Sequence, residues 1–154
     1  AMSGVSGGHV GAGTVLTPDD AKRAKDAGAT FAVSPGLTDR LIAVCEELEL
    51  PLLPGTATAS EVMRAADAGY DMLKFFPAEA IGGAPALKSL AGPLPKIRFC
   101  PTGGISTANA GDYLSLPNVV CVGGSWIATD ADVSAENWGA IQERAHAAAR
   151  LSRG

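Results

Sequence analysis

No apolar run in this sequence approaches the roughly 20 residues needed to span a bilayer, and its 154 residues hold only three cysteines and two histidines. The missing run excludes a membrane-spanning helix, and no signal peptide is recognisable. Cys45, Cys100 and Cys121 form no CxxC pair and have no histidine at metal-ligand spacing, which argues against a structural metal site. Their odd number and apolar neighbours point instead to buried free thiols in a reducing cytoplasm. Positive charge is also in short supply, with 12 Lys and Arg against 16 Asp and Glu and a net charge of −4. Neither a nucleic acid nor an anionic membrane is therefore an expected partner.

What remains is ordinary globular material, 47% hydrophobic and 18% charged, enough for one domain with a sizeable core. The first eight residues, "AMSGVSGG", are small and Gly-rich, and they read as a flexible end or a tag remnant. Residues 9–154 read as a single domain.

Along that domain a short apolar run, a turn signal and an Ala-rich amphipathic stretch recur. The strand candidates are "HVGAGTV" (9–15), "FAVS" (31–34), "PLLPG" (51–55), "MLKFF" (72–76), "IRFCPT" (97–102) and "VVCVGG" (119–124). Helices are expected to begin near Pro18, Leu37, Ser60, Ala84, Thr107 and Ser134. Thr17 before Pro18, and Ser60 with Glu61, are N-terminal signals; Gly28 and Gly69 are stop signals. Short apolar strands alternating with helices predict a parallel sheet covered by helices, in six βα units. On count alone an open doubly wound sheet fits best, because a barrel needs eight units. Motif positions argue the other way. Every strand ends in a Gly-, Pro- or Thr-bearing segment, and a functional face built from strand C-termini is the barrel habit.

One strand carries a misfit. In "DMLKFFPAE" the ammonium of Lys74 stands among Met72, Leu73, Phe75 and Phe76, where an unpaired charge costs several kcal/mol. Either Lys74 snorkels to solvent, or its chemistry is the reason for its presence. An apolar cage disfavours the protonated amine, lowers its pKa and makes it a nucleophile. The chemistry this permits is imine formation with a ketone or aldehyde, the iminium then serving as an electron sink for breaking a C–C bond.

"PTGGIS" (101–106) and "GGSW" (123–126) each place two glycines after a strand, with Ser106 or Ser125 nearby. Such pairs are either tight βα turns or places where backbone N–H groups approach an anion. Their position after the last two strands favours a phosphate site. Thr14, Thr56, Thr58 and Thr102 could present hydroxyls on the same face, though threonine also simply suits strands. Glu79 could be an acid/base group or a helix N-terminal residue. His146 is expected on the surface of a C-terminal helix, and His9 adjoins the flexible end.

In order, "VGAGTVLTP", "FAVSPGLT", "PLLPGTATASEVM", "LKFFPAEAIGG", "IRFCPTGGIS" and "VVCVGGSW" closely resemble the 2-keto-3-deoxy-6-phosphogluconate (KDPG) aldolases, class I aldolases of the Entner–Doudoroff pathway. The resemblance covers residues 10 to about 150. It implies a (β/α)8 barrel, usually a homotrimer, with no metal or organic cofactor. By that similarity Lys74 is the Schiff-base lysine, and Gly103, Gly104, Gly123, Gly124 and Ser125 form the phosphate-binding loops. Thr14 and Thr102 contact substrate, while Pro35 and Phe76 line the pocket. The implied reaction is reversible cleavage of KDPG to pyruvate and glyceraldehyde 3-phosphate. The galactonate epimer is an alternative substrate, and many relatives also cleave 4-hydroxy-2-oxoglutarate.

The departure from the family is large. Its members carry two further βα units before "VGAGTV", the second bearing the glutamate acid/base and, nearby, an arginine that helps bind the substrate carboxylate. No residue here matches either. General acid–base catalysis is typically worth about 10²–10⁴-fold, so this chain is expected to form the imine but turn over poorly. It is thus expected to be a fragment, a proteolysed product, or a truncation whose open strand edges are closed by another copy. A barrel fragment that retains at most weak phosphate binding is the competing expectation.

Overall fold

The computed structural model describes residues 7–151, so most of the expected flexible end lies outside the described residues. The chain forms two compact units, one ending at Lys74 and the other starting at Phe75.

The first unit runs β1 (Gly11–Gly13), α1 (Pro18–Asp26), β2 (Phe31–Val33), α2 (Asp39–Glu47), β3 (Leu52–Leu53), β4 (Gly55–Thr56), α3 (Ala59–Asp67) and the start of β5 (Met72–Phe75). β1, β2 and β3 pair in that order and in parallel, with Gly11 opposite Phe31, Ala32 opposite Leu52 and Val33 opposite Leu53. Each helix turns small or branched residues at i, i+3 or i+4 toward the sheet: Ala21 and Ala24, then Leu41, Val44 and Cys45, then Val62 and Ala65. Together with Val15, Ala32, Leu50 and Leu52, the residues of α1 and α2 make an apolar core. Burying one such Leu is worth about 1.5–3 kcal/mol.

The expected third strand is broken in two at Pro54, which has no N–H to give to a ladder. The break lets the strand serve two neighbours. Leu53 O accepts from Ser34 N–H (3.2 Å) on the β2 side, and Pro54 O accepts from Lys74 N–H (2.8 Å) on the β5 side. Helix α3 also starts earlier than expected. Thr58, not Ser60, is its N-cap: its side chain accepts from Glu61 N–H while the Glu61 carboxylate accepts from Thr58 N–H at 2.8 Å. The Thr-x-x-Glu spacing of a capping box was present in the sequence.

The second unit contains the end of β5, a 3-10 turn (Glu79–Ile81), α4 (Gly83–Leu90), β6 (Arg98–Pro101), α5 (Ala110–Leu114), α6 (Asp130–Ser134) and α7 (Trp138–Ala149). Phe75 and Phe99 meet edge-to-face at 6.1 Å, and both are fully buried with Leu87 and Tyr113. The expected sixth strand, 119–124, is not a regular strand. It forms two isolated bridges, Phe99–Val119 with β6 and Thr102–Gly123 just past it, so three steps on one side face four on the other, and the extra residue breaks the ladder. This irregular segment leaves Cys121 exposed, contrary to expectation, whereas Cys45 and Cys100 are buried as expected. Burial pushes the Cys45 thiol pKa up.

Helix α5 begins three residues later than expected, at Ala110. The last expected helix start, Ser134, is where the short α6 ends. Thr129 caps α6, and Arg144 of α7 ties back to it through Asp132 at 2.5 Å and Ile127 O at 3.0 Å. His146 is exposed on α7 as expected, and His9 is exposed before β1. Among the described residues no helix is long and apolar enough to cross a membrane. The coarse class is thus α/β with parallel strands.

Candidate active site

Strand β5 places Lys74 in the interior. Leu73 and Phe75 on either side are 0% and 1% exposed, and Lys74 itself only 9%. A snorkelling lysine would leave its head in water, so that alternative fails. The backbone of Lys74 is held on both of its polar groups: its N–H donates to Pro54 O, and its carbonyl accepts from Thr56 Oγ1 at 3.3 Å. Thr56 is therefore a buried strand tie, and Thr58 is a helix cap; the hydroxyls of both already serve the fold. Thr14 is exposed just past β1, on the wall of a cavity of about 520 Å³ that also includes Ala12, Gly13 and Arg23. Pro35 is half-buried past β2, its carbonyl so close to β4 that a Cβ on Gly55 would lie 2.1 Å from it. Within the first unit, then, Thr14 and Pro35 follow the C-terminal ends of their strands and Lys74 is next to last on its own.

The second unit brings the two glycine segments together. Thr102, Gly103, Gly104, Ile105, Gly123, Gly124 and Ser125 line one cavity of about 330 Å³. Gly123 N–H donates to Pro101 O at 2.9 Å, and a Cβ on Gly123 would come within 2.6 Å of Thr102 Oγ1. Gly103 and Gly104 have φ of +98° and +79°, conformations that side chains disfavour. Phe76, half-buried, lies against the same loop, with its ring 3.3 Å from where a Gly103 Cβ would be. Thr102 N–H donates to Phe75 O, so Thr102 sits beside the end of β5. No Lys, Arg or His lines this cavity. Attraction for an anion must come from backbone donors, and the N–H groups of Gly104, Gly124 and Ser125 make no hydrogen bond to any described residue. Ser106 is not on the wall. Its N–H donates to Asn109 Oδ1 at 2.8 Å, a turn contact.

Three polar residues around these elements escaped sequence reasoning. Asn109 Nδ2 donates to Gly104 O at 3.0 Å. Tyr113, 1% exposed, donates its hydroxyl to Glu79 Oε1, and burial, followed by the facing Glu79 carboxylate, pushes the tyrosine pKa up, keeping it a donor. Ser34, also 1% exposed, accepts from Gly36 N–H in the turn carrying Pro35. The Asn109 signal was legible as an Asn five residues past a Gly-Gly pair; the pairing of Tyr113 with Glu79, 34 residues apart, was not. Among the described residues no group of three or more His, Cys, Asp or Glu could hold a metal ion.

Lys74 is thus a buried amine within its strand, and the two Gly-Gly segments, each following a strand candidate, wall one cavity. The KDPG and KHG aldolase family matches residues 2–144. The chain belongs to this aldolase family. It is 52% identical over 134 residues to the 2-dehydro-3-deoxy-phosphogluconate aldolase of Pseudomonas aeruginosa, an alignment covering 87% of this chain and 61% of that protein. It is 55% identical over 118 residues to the KHG/KDPG aldolase of Escherichia coli K12, covering 77% and 55%. Among solved structures, a KDPG aldolase from Legionella pneumophila, with pyruvate captured as a covalent carbinolamine intermediate, superposes with a TM-score of 0.88. That match is 47% identical and covers 92% of this chain and 69% of that one. The chain therefore spans 55–61% of the length of these two curated aldolases.

Proposed function

We propose that this chain carries the Schiff-base centre of an aldolase that cleaves KDPG to pyruvate and glyceraldehyde 3-phosphate. The observation that carries the reading is Lys74, an amine side chain at 9% exposure inside an apolar strand. The unprotonated Nζ attacks the C2 ketone of the substrate to give a carbinolamine, which loses water to form the iminium. Removal of the C4 hydroxyl proton lets the C3–C4 bond break, its electron pair moving into the iminium to leave an enamine and releasing the aldehyde. Protonation of the enamine at C3 and hydrolysis then free pyruvate and Lys74. No residue of this chain is assigned as the base for C4.

Gly103, Gly104, Gly123, Gly124 and Ser125 hold the phosphate, Thr14 and Thr102 contact the substrate, and Pro35 and Phe76 line its pocket. The gluconate substrate is preferred over the galactonate epimer on the "FFPAE" run. Architecturally, the βα units are the last six of an eight-unit barrel, forming a single domain over residues 9–154. The whole enzyme is a cytoplasmic trimer of the Entner–Doudoroff route and works without a cofactor.

Incubation with pyruvate and borohydride should add a stable mass at Lys74, found by intact mass and peptide mapping, and Lys74→Ala should lose it entirely. A folded wild-type chain without the adduct would sink the lysine assignment. A second reading is favoured by the 55–61% coverage of the curated aldolases: the chain alone binds phosphate and does not turn over. KDPG cleavage coupled to pyruvate detection separates the two.

A further inference from the structure

Asn109 occupies the N-cap position of α5, where an asparagine ordinarily accepts from the N–H groups of its own first turn. Here it makes no such bond. Its side chain is turned back onto the glycine loop instead: Oδ1 accepts from Ser106 N–H at 2.8 Å, and Nδ2 donates to Gly104 O at 3.0 Å. The neighbouring carbonyl is held as well, since Gly103 O accepts from Glu79 N–H at 3.1 Å. Glu79 is itself steadied by the Tyr113 hydroxyl, and its side chain fills the space beside Gly104, where a Cβ would come within 2.6 Å of Glu79 Cγ. Both carbonyls of the Gly-Gly pair are thus tied by groups that are not on the cavity wall.

A trans peptide unit points its N–H opposite to its C=O. Tying Gly103 O therefore directs Gly104 N–H away from Glu79, and tying Gly104 O directs Ile105 N–H away from Asn109. Gly104 and Ile105 both line the 330 Å³ cavity, which has no cationic side chain of its own. We propose that Asn109 is a positioning residue of the anion site: by holding the Gly104 carbonyl, its amide aims the Ile105 backbone donor that a phosphate would meet, in place of capping its helix. This rests on the reading of that cavity as the phosphate site. Its consequence is selective, because a substrate without a phosphate gains nothing from the tie.

Inorganic phosphate and pyruvate probe the glycine cavity and Lys74 separately. In Asn109→Ala the dissociation constant for inorganic phosphate, measured by calorimetry, should rise about tenfold, the loss of one to two net hydrogen bonds. Borohydride trapping of pyruvate at Lys74 should stay at the wild-type rate. Asn109→Asp, which keeps an acceptor for Ser106 N–H and cannot donate to Gly104 O, should weaken phosphate at least as much, and it serves alone if the alanine variant does not fold. Unchanged phosphate affinity in the folded variant overturns the inference. So does an equal loss of phosphate binding and pyruvate trapping, which would mean a general loosening of the fold. A wild-type chain that traps pyruvate and binds no phosphate overturns it while leaving Lys74 in place; a wild-type chain that binds phosphate and traps no pyruvate fails the lysine reading alone.

Discussion

The helix starts of the two units differ in what their polar residues do. In the first unit Thr17, Thr38 and Thr58 each accept from an N–H of their own helix, two of them in full capping boxes with Asp20 and Glu61. In the second, Thr129 does the same for α6, but Asn109 leaves α5 uncapped and grips Gly104. The helices capped by Thr17, Thr38 and Thr58 run nine residues each, whereas α5 has five. A side chain worth about 1 kcal/mol as a cap is diverted to a loop, and that is a mark of a loop whose geometry matters more than local helix stability. The lysine differs again, because its strand is held by Pro54 O and Thr56 Oγ1 and needs no such sacrifice.

If that contrast is right, changes at the glycine loop should damage ligand binding and changes at the threonine caps should damage only stability. The largest effect is expected at Gly104→Ala. A φ of +79° costs an alanine roughly 1–2 kcal/mol, and the new methyl would also lie 2.6 Å from Glu79 Cγ. Phosphate affinity should fall by roughly 10- to 100-fold, with pyruvate trapping at Lys74 intact. A Gly104→Ala protein that binds phosphate normally would erase the distinction between the loop and the caps.

Next in size is Thr58→Ala, which removes the side-chain acceptor of a capping box. It should lower unfolding free energy by about 1 kcal/mol, read from the urea midpoint, and leave both ligand assays unchanged. A loss of phosphate binding here would show that the caps and the loop are not separate in function.

The smallest effect is the pH dependence that the two capping boxes contribute. The hydrogen bond from Thr17 holds the Asp20 carboxyl below its ordinary 3.8, and the Ala57 N–H, opposed by some desolvation, holds Glu61 below its ordinary 4.5. A carboxyl depressed on folding contributes its stability fully above the ordinary value and loses it as pH falls through the lowered one. Melting temperature should therefore drop modestly between about pH 5 and pH 3, and the drop should be shallower in Glu61→Gln, which keeps an acceptor at that position without titrating. Parallel melting curves for the two proteins would remove Glu61 from the account.

Much of the candidate site was legible beforehand. Lys74 was visible as a charge in an apolar strand, and burial bears that out. The two Gly-Gly segments were visible as loops after strands, and they share one cavity. Other readings failed for physical reasons. Thr56 and Thr58 belong to a strand tie and a capping box, because a hydroxyl near a site serves whichever donor or acceptor lies closest. The strand expected over 119–124 is irregular, since four steps there face three from Phe99 to Thr102, and hydropathy carries no information about register. Cys121 is exposed for the same reason.

The sequence by itself determined the alternation of strand and helix, the helix starts at Pro18 and Gly83 to within a residue, the lysine, and the family, because each is written in local pattern and order. Tertiary structure alone decided that Pro54 splits a strand between two neighbours, that Tyr113 steadies Glu79, and that Asn109 forsakes its helix for Gly104. Those outcomes depend on which hydrogen-bonding group comes within about 3 Å of which, and the fold sets that distance.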